Sequence, residues 1–420
     1  MQQASRSFRA LLAASVVALL QVIVPGTAFA TPGDLDGTFD GDGKATLTIL
    51  QGSIGRGVAV QADGKIVVAG SAFNGSNQDF AVARFDSGGV PDPTFDGDGK
   101  AVAFYIMFND HLFDVAVQSN GKIVAAGSSG SDIALVRFKE NGTLDPMFSG
   151  DGKVKTDLGA TESAQSLAIQ PNGKILVAGI TGTGNSENFA VARYNTDGTL
   201  DSRFSRDGIV TTDFGGTDEA YSVAIQADGG IVVGGGTGLG GCCEKFALAR
   251  YTAGGILDPT FDMDGRLTAD LGPDIDQVDS VAIQGDQKIV AGGVTSNGTN
   301  LDFVVTRYET GGTPDATFSG DGKQTVDFGA HDTIFGIALQ SDGKIVAVGD
   351  SGIPTTFHWA VARIKAGGAL DKNFSGDGKL TTSFGFNFET AFDVAVQSNG
   401  KIVAAGRSGQ QFAVARYLAA

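Results

Sequence analysis

Between residues 31 and 420 the apolar positions fall in short runs of period two, separated by clusters of Gly, Asp, Asn and Pro. Such alternation marks β-strands with one face turned to a core, and no stretch here keeps a helical period. "GVAVQ" (57–61) and "KIVVAG" (65–70) flank "ADG", where Asp-Gly accepts the positive φ of a tight hairpin turn. "FAVARF" (80–85) sets Phe80, Val82 and Arg84 on one side and Ala81, Ala83 and Phe85 on the other. A long turn then leads to "KAVAFYI" (100–106), a fourth strand.

This unit recurs seven times. A Phe in the long turn returns as Phe39, Phe95, Phe148, Phe204, Phe261, Phe318 and Phe374, at spacings of 56, 53, 56, 57, 57 and 56 residues. A Gln before the hairpin turn (Gln61, Gln118, Gln170, Gln226, Gln284, Gln340, Gln397) and an Arg in the third strand (Arg84, Arg137, Arg193, Arg250, Arg307, Arg363, Arg416) keep step with it. One four-stranded sheet cannot bury both faces, whereas seven set radially cover one another and leave only short edges. The coils of a solenoid are much shorter than this repeat. The pattern predicts an all-β fold: a seven-bladed β-propeller of four-stranded blades. "KATLTIL" (44–50) is a fourth-type strand with no partners before it, and "FAVARY" (412–417) a third-type strand with none after it. The ring is therefore expected to close by the N-terminal strand completing the C-terminal blade.

"LDPTFDGDGK", "VAVQADGKIVVAG" and "FAVARF" resemble the delta-60 repeat of bacterial exported proteins, and the resemblance runs over essentially all of 35–417. It implies the β-propeller fold; it brings no established activity and no catalytic residues.

The first 30 residues read differently. Arg6 and Arg9, the apolar run Leu11 to Val24 and "AFA" before Thr31 have the layout of a secretory signal peptide, so export is expected, with residues 31–420 as the mature propeller. The destination is the cell surface, the periplasm or the outside of the cell, with no membrane span once the signal is removed. The mature chain keeps all 47 acidic residues and 28 of the 30 basic ones, a formal charge of −19. That balance excludes nucleic acid and anionic membrane as partners, since both need clustered Lys and Arg. The adjacent Cys242 and Cys243 give no disulfide framework, because neighbours can join only through a strained ring.

The Asp-Gly rhythm of "LDPMFSGDGK" (144–153) invites comparison with a calcium loop. From Asp40, however, position 5 of an EF-hand loop is Lys44 and position 12 is Gln51, neither of them a ligand for such a site, and a strand follows instead of a helix. A structural role fits better: Arg137, held between packed sheets, needs an anion, and Asp145 or Asp151 of its own copy can provide it. The recurring Gln is read as satisfying hairpin backbone groups. "GTGLGG" (236–241) matches G-x-G-x-x-G but precedes a strand, so it is not a dinucleotide fingerprint. No cofactor is expected.

Strand order puts turns 1–2 and 3–4, nearly uniform between copies, on one face, and the variable loops 2–3 and 4–1 on the other. Binding residues usually ride on loops held by a rigid scaffold, so the variable face is the candidate site. Loops 2–3 are short in blade 2 (128–132) and blade 7 (407–411), and nearby 4–1 loops carry Met107, Phe108, Phe386 and Phe388 where sister loops are polar. Those aromatics either fill the space above the short loops or form a contact surface. All three histidines, His111, His331 and His358, fall on this face, with His331 and His358 both in blade 6 near Asp332. The expected function is a non-enzymatic scaffold binding a protein or carbohydrate. The alternative is a metal-dependent hydrolase or lactonase in the funnel, which would need His, Asp and Glu gathered from several blades.

Overall fold

The computed structural model describes residues 30–105, 108–238 and 244–419. The proposed signal peptide, Met107, the cysteine pair and the end of "GTGLGG" lie outside them. Seven four-stranded antiparallel sheets make up the chain from Thr31; six keep their strands in sequence order, and the seventh takes its outer strand from the N-terminal end. Blade 1 runs Ser53–Val60, Ile66–Phe73, Gln78–Phe85 and Lys100–Ala103. First strands touch the first strands of both neighbouring blades, which sets them innermost around the axis.

The ring closes as the strand order requires. Lys44–Leu47 pairs antiparallel with Gln411–Tyr417, from Lys44↔Ala415 to Leu47↔Phe412, and so becomes the outer strand of blade 7. The core is a set of seven clusters between adjacent blades. In one of them Val67, Ala69, Phe80 and Val82 of blade 1 meet Leu112, Val115, Ile123 and Ala125 of blade 2, with Phe95 and Phe138 at the end.

The repeated long turn is a structural latch. Arg137 Nε donates to Asp145 Oδ2 at 2.8 Å, its Nη1 donates to the Thr196 carbonyl of blade 3 at 2.5 Å, and its guanidinium lies 4.5 Å from the Phe148 ring centre. Lys122 reaches the same carboxylate at 2.8 Å. Arg416 makes the corresponding contacts with Asp36, Phe39 and the Ser87 carbonyl, across the closure. Burial alone would push Asp92 up, but bonds from the Thr94 hydroxyl and N–H, with Arg84 and Lys65, bring it down to about 2. Asp151 has a different task, accepting the Lys153 N–H within the turn. Glycine is compulsory there: at Gly99, φ +85°, a Cβ would stand 2.9 Å from the Asp92 nitrogen. Blade 4 varies the theme. Gly230 replaces the lysine, and Arg250 turns to Gln226 Oε1 at 2.6 Å and Asp228 Oδ2 at 2.8 Å while keeping Asp258.

Three readings change. The recurring Gln does bond hairpin backbone, but of the next blade: Gln397 Nε2 donates to the Gly64 carbonyl at 3.2 Å and Gln340 Nε2 to that of Gly400 at 3.3 Å. Outer strands are four residues long, Lys100–Ala103 where the alternation ran to 106. They stop because the next N–H groups are taken by a carboxylate, as Tyr105 N–H is by Asp110 Oδ2 at 2.6 Å. Inner strands, conversely, begin upstream of the alternation. Each holds a β-bulge, in blade 1 between Gly55 and Gly57 and in blade 2 between Leu112 and Asp114, and the extra residue breaks the period of two.

Candidate functional site at the variable face and central channel

The seven bulges put one residue per blade on the channel wall: Arg56, Phe113, Gln165, Tyr221, Asp279, Phe335 and Phe392. This ring is sharply unequal. Arg56 sits between two aromatic rings, 5.0 Å from the centre of Phe113 and 4.7 Å from that of Phe392, and Phe392 packs on Phe335 at 5.2 Å. Arg407, from the second strand of blade 7, is close enough that its charge, after burial, pulls the Arg56 guanidinium down. Among the described residues neither arginine has a carboxylate within ion-pair distance, and Arg407 Nε is buried without any hydrogen-bond acceptor. Asp350 feels Arg407 without pairing with it; burial pushes this carboxyl up to about 6, and its Oδ2 accepts from Thr390 Oγ1 at 2.9 Å.

The opposite wall is acidic. Glu219, crowded by burial, Glu187 and Glu244, is pushed up to about 7, and the Tyr221 hydroxyl donates to it. Asp279, densely enclosed and facing Glu244, also rises to about 7 although Gln277 Nε2 donates to it at 2.7 Å. In blades 2 and 7, next to Phe113 and Phe392, Asp114 and Asp393 are structural. Each accepts its own next N–H through Oδ1, at 2.7 Å, and that of the following blade through Oδ2, as Val58 N–H does to Asp393 at 2.8 Å. Blades 3, 4 and 5 use a serine for the bond to the next blade, as Ser222 does for Val281 N–H at 2.9 Å. Burial raises both aspartates, and the charge of Asp114 raises Asp393 further.

The rim repeats this asymmetry. Ile353 of blade 6, Phe386 and Phe388 entering blade 7, Leu50 and Phe73 at blade 1, and Phe104 and Phe108 entering blade 2 are all exposed. Among the described residues, the variable loops of blades 3, 4 and 5 expose no large apolar side chain. An apolar arc therefore crowns the same sector, blades 6, 7, 1 and 2, that carries the cations and aromatics of the channel.

The sequence-predicted residues divide as follows. Phe108 and Phe386 lie over the short hairpins, where a Cβ on Gly130 would be 2.9 Å from Phe108 and one on Gly409 3.2 Å from Phe386. They fill the space above the short loops, and each still presents a surface, 44 % and 50 % exposed. Phe388 bridges Phe357 of blade 6. His111 is a strand residue beside the channel, not a loop residue; its ring is 6.3 Å from Phe113, and burial with Arg56 keeps its pKa low. His331 opens the first strand of blade 6 (His331–Leu339), and His358 is third in the third strand (Thr356–Ile364), with Ile345–Ile353 between them. They form no pair. His358 Nδ1 instead lies 2.9 Å from Glu389 Oε2 of blade 7. Sequence reading missed Arg56 and Arg407; an Arg set between glycines in "GRG" (55–57), where the sister copies read "LFD" or "AQS", was the available signal.

The family described as "Domain of unknown function (DUF5122) beta-propeller" matches residues 61–95, 118–148, 170–204, 226–261, 284–318, 340–374 and 397–419, more than half of the chain. The chain belongs to this family. Each matched segment runs from the hairpin Gln towards the latch Phe, through the second and third strands. Arg56, His111, Phe113, Phe386, Phe388 and Phe392 all fall outside the segments, whereas Arg407 lies within the last of them. No curated protein matches the sequence. Among solved structures it is similar to Sqt1 of Chaetomium thermophilum bound to the N-terminus of the ribosomal protein L10, with TM-score 0.52, 13 % identity, and 89 % of this chain and 98 % of that chain covered. The WD40 propeller domain of Doa1 gives 0.50 and 13 %, over 89 % and 95 %. A streptogramin B lyase gives 0.47 and 10 %, over 89 % and 97 %. At these identities the likeness is one of fold alone.

Proposed function

We propose that this protein is an exported, non-enzymatic binding scaffold that takes a protein partner on its variable face, holding an acidic segment flanked by apolar side chains over blades 6, 7, 1 and 2. The observation that carries this reading is the pair Arg56 and Arg407, two partly buried guanidinium groups that, among the described residues, have no carboxylate within ion-pair distance in a chain otherwise rich in them. A confined cation lacking an anion is costly; the rings of Phe113 and Phe392 offset part of that cost, and a bound carboxylate would offset more. Aliphatic Leu50 and Ile353 in the arc favour protein over carbohydrate. Sqt1, which is similar in fold, binds the N-terminus of a ribosomal protein, which is in keeping with the reading. Among the described residues no helix is long and apolar enough to cross a membrane, and the signal-peptide pattern supports export.

The test uses a fluorescein-labelled peptide alternating Asp and Leu, its Lys–Leu counterpart, and purified 31–420. The Asp–Leu peptide should bind and the Lys–Leu peptide should not. Arg56→Gln with Arg407→Gln should weaken binding about 10-fold or more, the scale of losing charged bonds of about 1.5–3 kcal/mol each. Equal affinity for both peptides, or no loss in the double variant, would contradict the proposal.

A further inference from the structure

Every junction between blades brings three positions together on the variable face. They are the residue before the first fully buried large side chain of one blade's third strand (Phe80, Ile133 or Trp359, for example), the residue after its outer strand, and the first buried residue of the next blade's inner strand. The last of these is a carboxylate in six blades (Asp110, Glu162, Asp218, Asp276, Asp332, Glu389) and Ser53 in blade 1, and it ties down the 4–1 loop.

Most junctions balance that charge or avoid it. Between blades 6 and 7, His358 faces Glu389 at 2.9 Å. Between blades 2 and 3, Asp132, Asp157 and Glu162 converge, but Lys155 Nζ stands 2.6 Å from Asp132 Oδ2. Asn188 and Lys245 fill the first position at the next two junctions, and at the closure the three are the neutral Gln411, Thr48 and Ser53. Between blades 1 and 2 the second position is the apolar Phe104, and the charge of Lys155 reaches Asp110.

The junction of blades 5 and 6 departs from this. Asp302, Asp327 and Asp332 each offer an oxygen, all within 4.8 Å of one another, and no ion pair engages any of them. Asp302 and Asp332 are 8 % and 0 % exposed. Each has spent one oxygen on a donor: Asn297 Nδ2 reaches Asp302 Oδ2 at 2.9 Å, and Phe328 N–H reaches Asp332 Oδ2 at 2.6 Å. The other oxygen of each, Oδ1, is buried and unpartnered; the Ser351 hydroxyl is near Asp332 but outside hydrogen-bond geometry. Burial, and then the charges of this same cluster, raise both carboxyls. Buried acceptor oxygens that meet no donor call for a ligand that is only positive.

We infer that Asp302, Asp327 and Asp332 form a divalent cation site, and that the ion is calcium. All the donors are carboxylate oxygens, which suits a hard cation, and calcium takes several protein carboxylates in a flexible geometry, whereas magnesium usually keeps most of its waters and takes one or two. Asp302 and Asp327 belong to the blade 5 side and Asp332 to blade 6, so the ion joins two blades where the sister junctions use a histidine or a lysine. None of the three belongs to an Asp-Gly latch turn. The inference is independent of the peptide-binding reading.

Purified 31–420, stripped with chelator, is titrated with calcium and with magnesium to ~5 mM, the range of weak extracellular sites. Calcium is expected to raise Tm by roughly 2 °C at ten times Kd, and native mass spectrometry to count one ion per chain. Asp302→Asn with Asp327→Asn, which keeps the acceptors for local N–H groups, should abolish the response while leaving the metal-free Tm unchanged or higher. The site is refuted by an unresponsive wild-type protein, by a calcium shift that survives in the double variant, or by about seven ions per chain. A response to magnesium alone refutes the calcium assignment.

Discussion

Asp145 and Asp151 stand six residues apart in one turn and do unlike work. Asp145, 1 % exposed, neutralises Arg137 and Lys122, while Asp151 is exposed and shapes the turn through a local N–H. That the strand arginine needs an anion was legible from the cost of a buried charge; which aspartate serves it was not, since both are close in sequence. Asp145→Ala should cost about 3–5 kcal/mol, because Arg137 then stays buried without its anion. Asp151→Ala should cost about 1 kcal/mol or less, the scale of one exposed bond. Urea unfolding of the two variants measures the difference, and equal losses would mean the latch is misassigned. Arg56 was hidden for another reason: it is the extra residue of a bulge, and an interruption of the period reads as loop.

At the scale of the strand, legibility followed burial. Second and third strands such as Ile66–Phe73 and Gln78–Phe85 are covered on both faces and announce themselves as apolar runs. The inner strands lost their upstream halves to the bulge, which is why His111 and His331 were expected in loops. The outer strand was drawn too long, because "FYI" continues the alternation after Ala103 while Asp110 has already claimed the Tyr105 N–H. One element carries the closure. Deleting 31–50 removes Lys44–Leu47 together with Asp36, the anion of Arg416, and uncovers Val414 and Phe412 at the edge of blade 7. Such a chain should melt many degrees lower, with the transition broadened, in a calorimetric scan. An unchanged Tm would rule out a closure made by this segment.

Across the whole molecule, the sevenfold repetition was enough to give the propeller, and what repeats builds the scaffold. Function is argued from what fails to repeat: guanidinium groups and aromatics on one side of the channel, acids on the other, and an apolar arc above the first. A single sequence shows such differences one residue at a time, and only the ring brings Arg407 of blade 7, Arg56 of blade 1 and Phe113 of blade 2 to one wall. The loop aromatics were visible beforehand, though not that two of them cap glycine hairpins. The most direct test of the account is amide hydrogen exchange on 31–420 with and without the Asp–Leu peptide. Protection is predicted in Ser53–Val60, Asp110–Val117, Glu389–Val396 and the loops above them, with Thr217–Ile225 and Asp276–Ile283 unaffected. Protection centred on the acidic wall, or spread evenly over seven blades, would contradict a binding site in this sector.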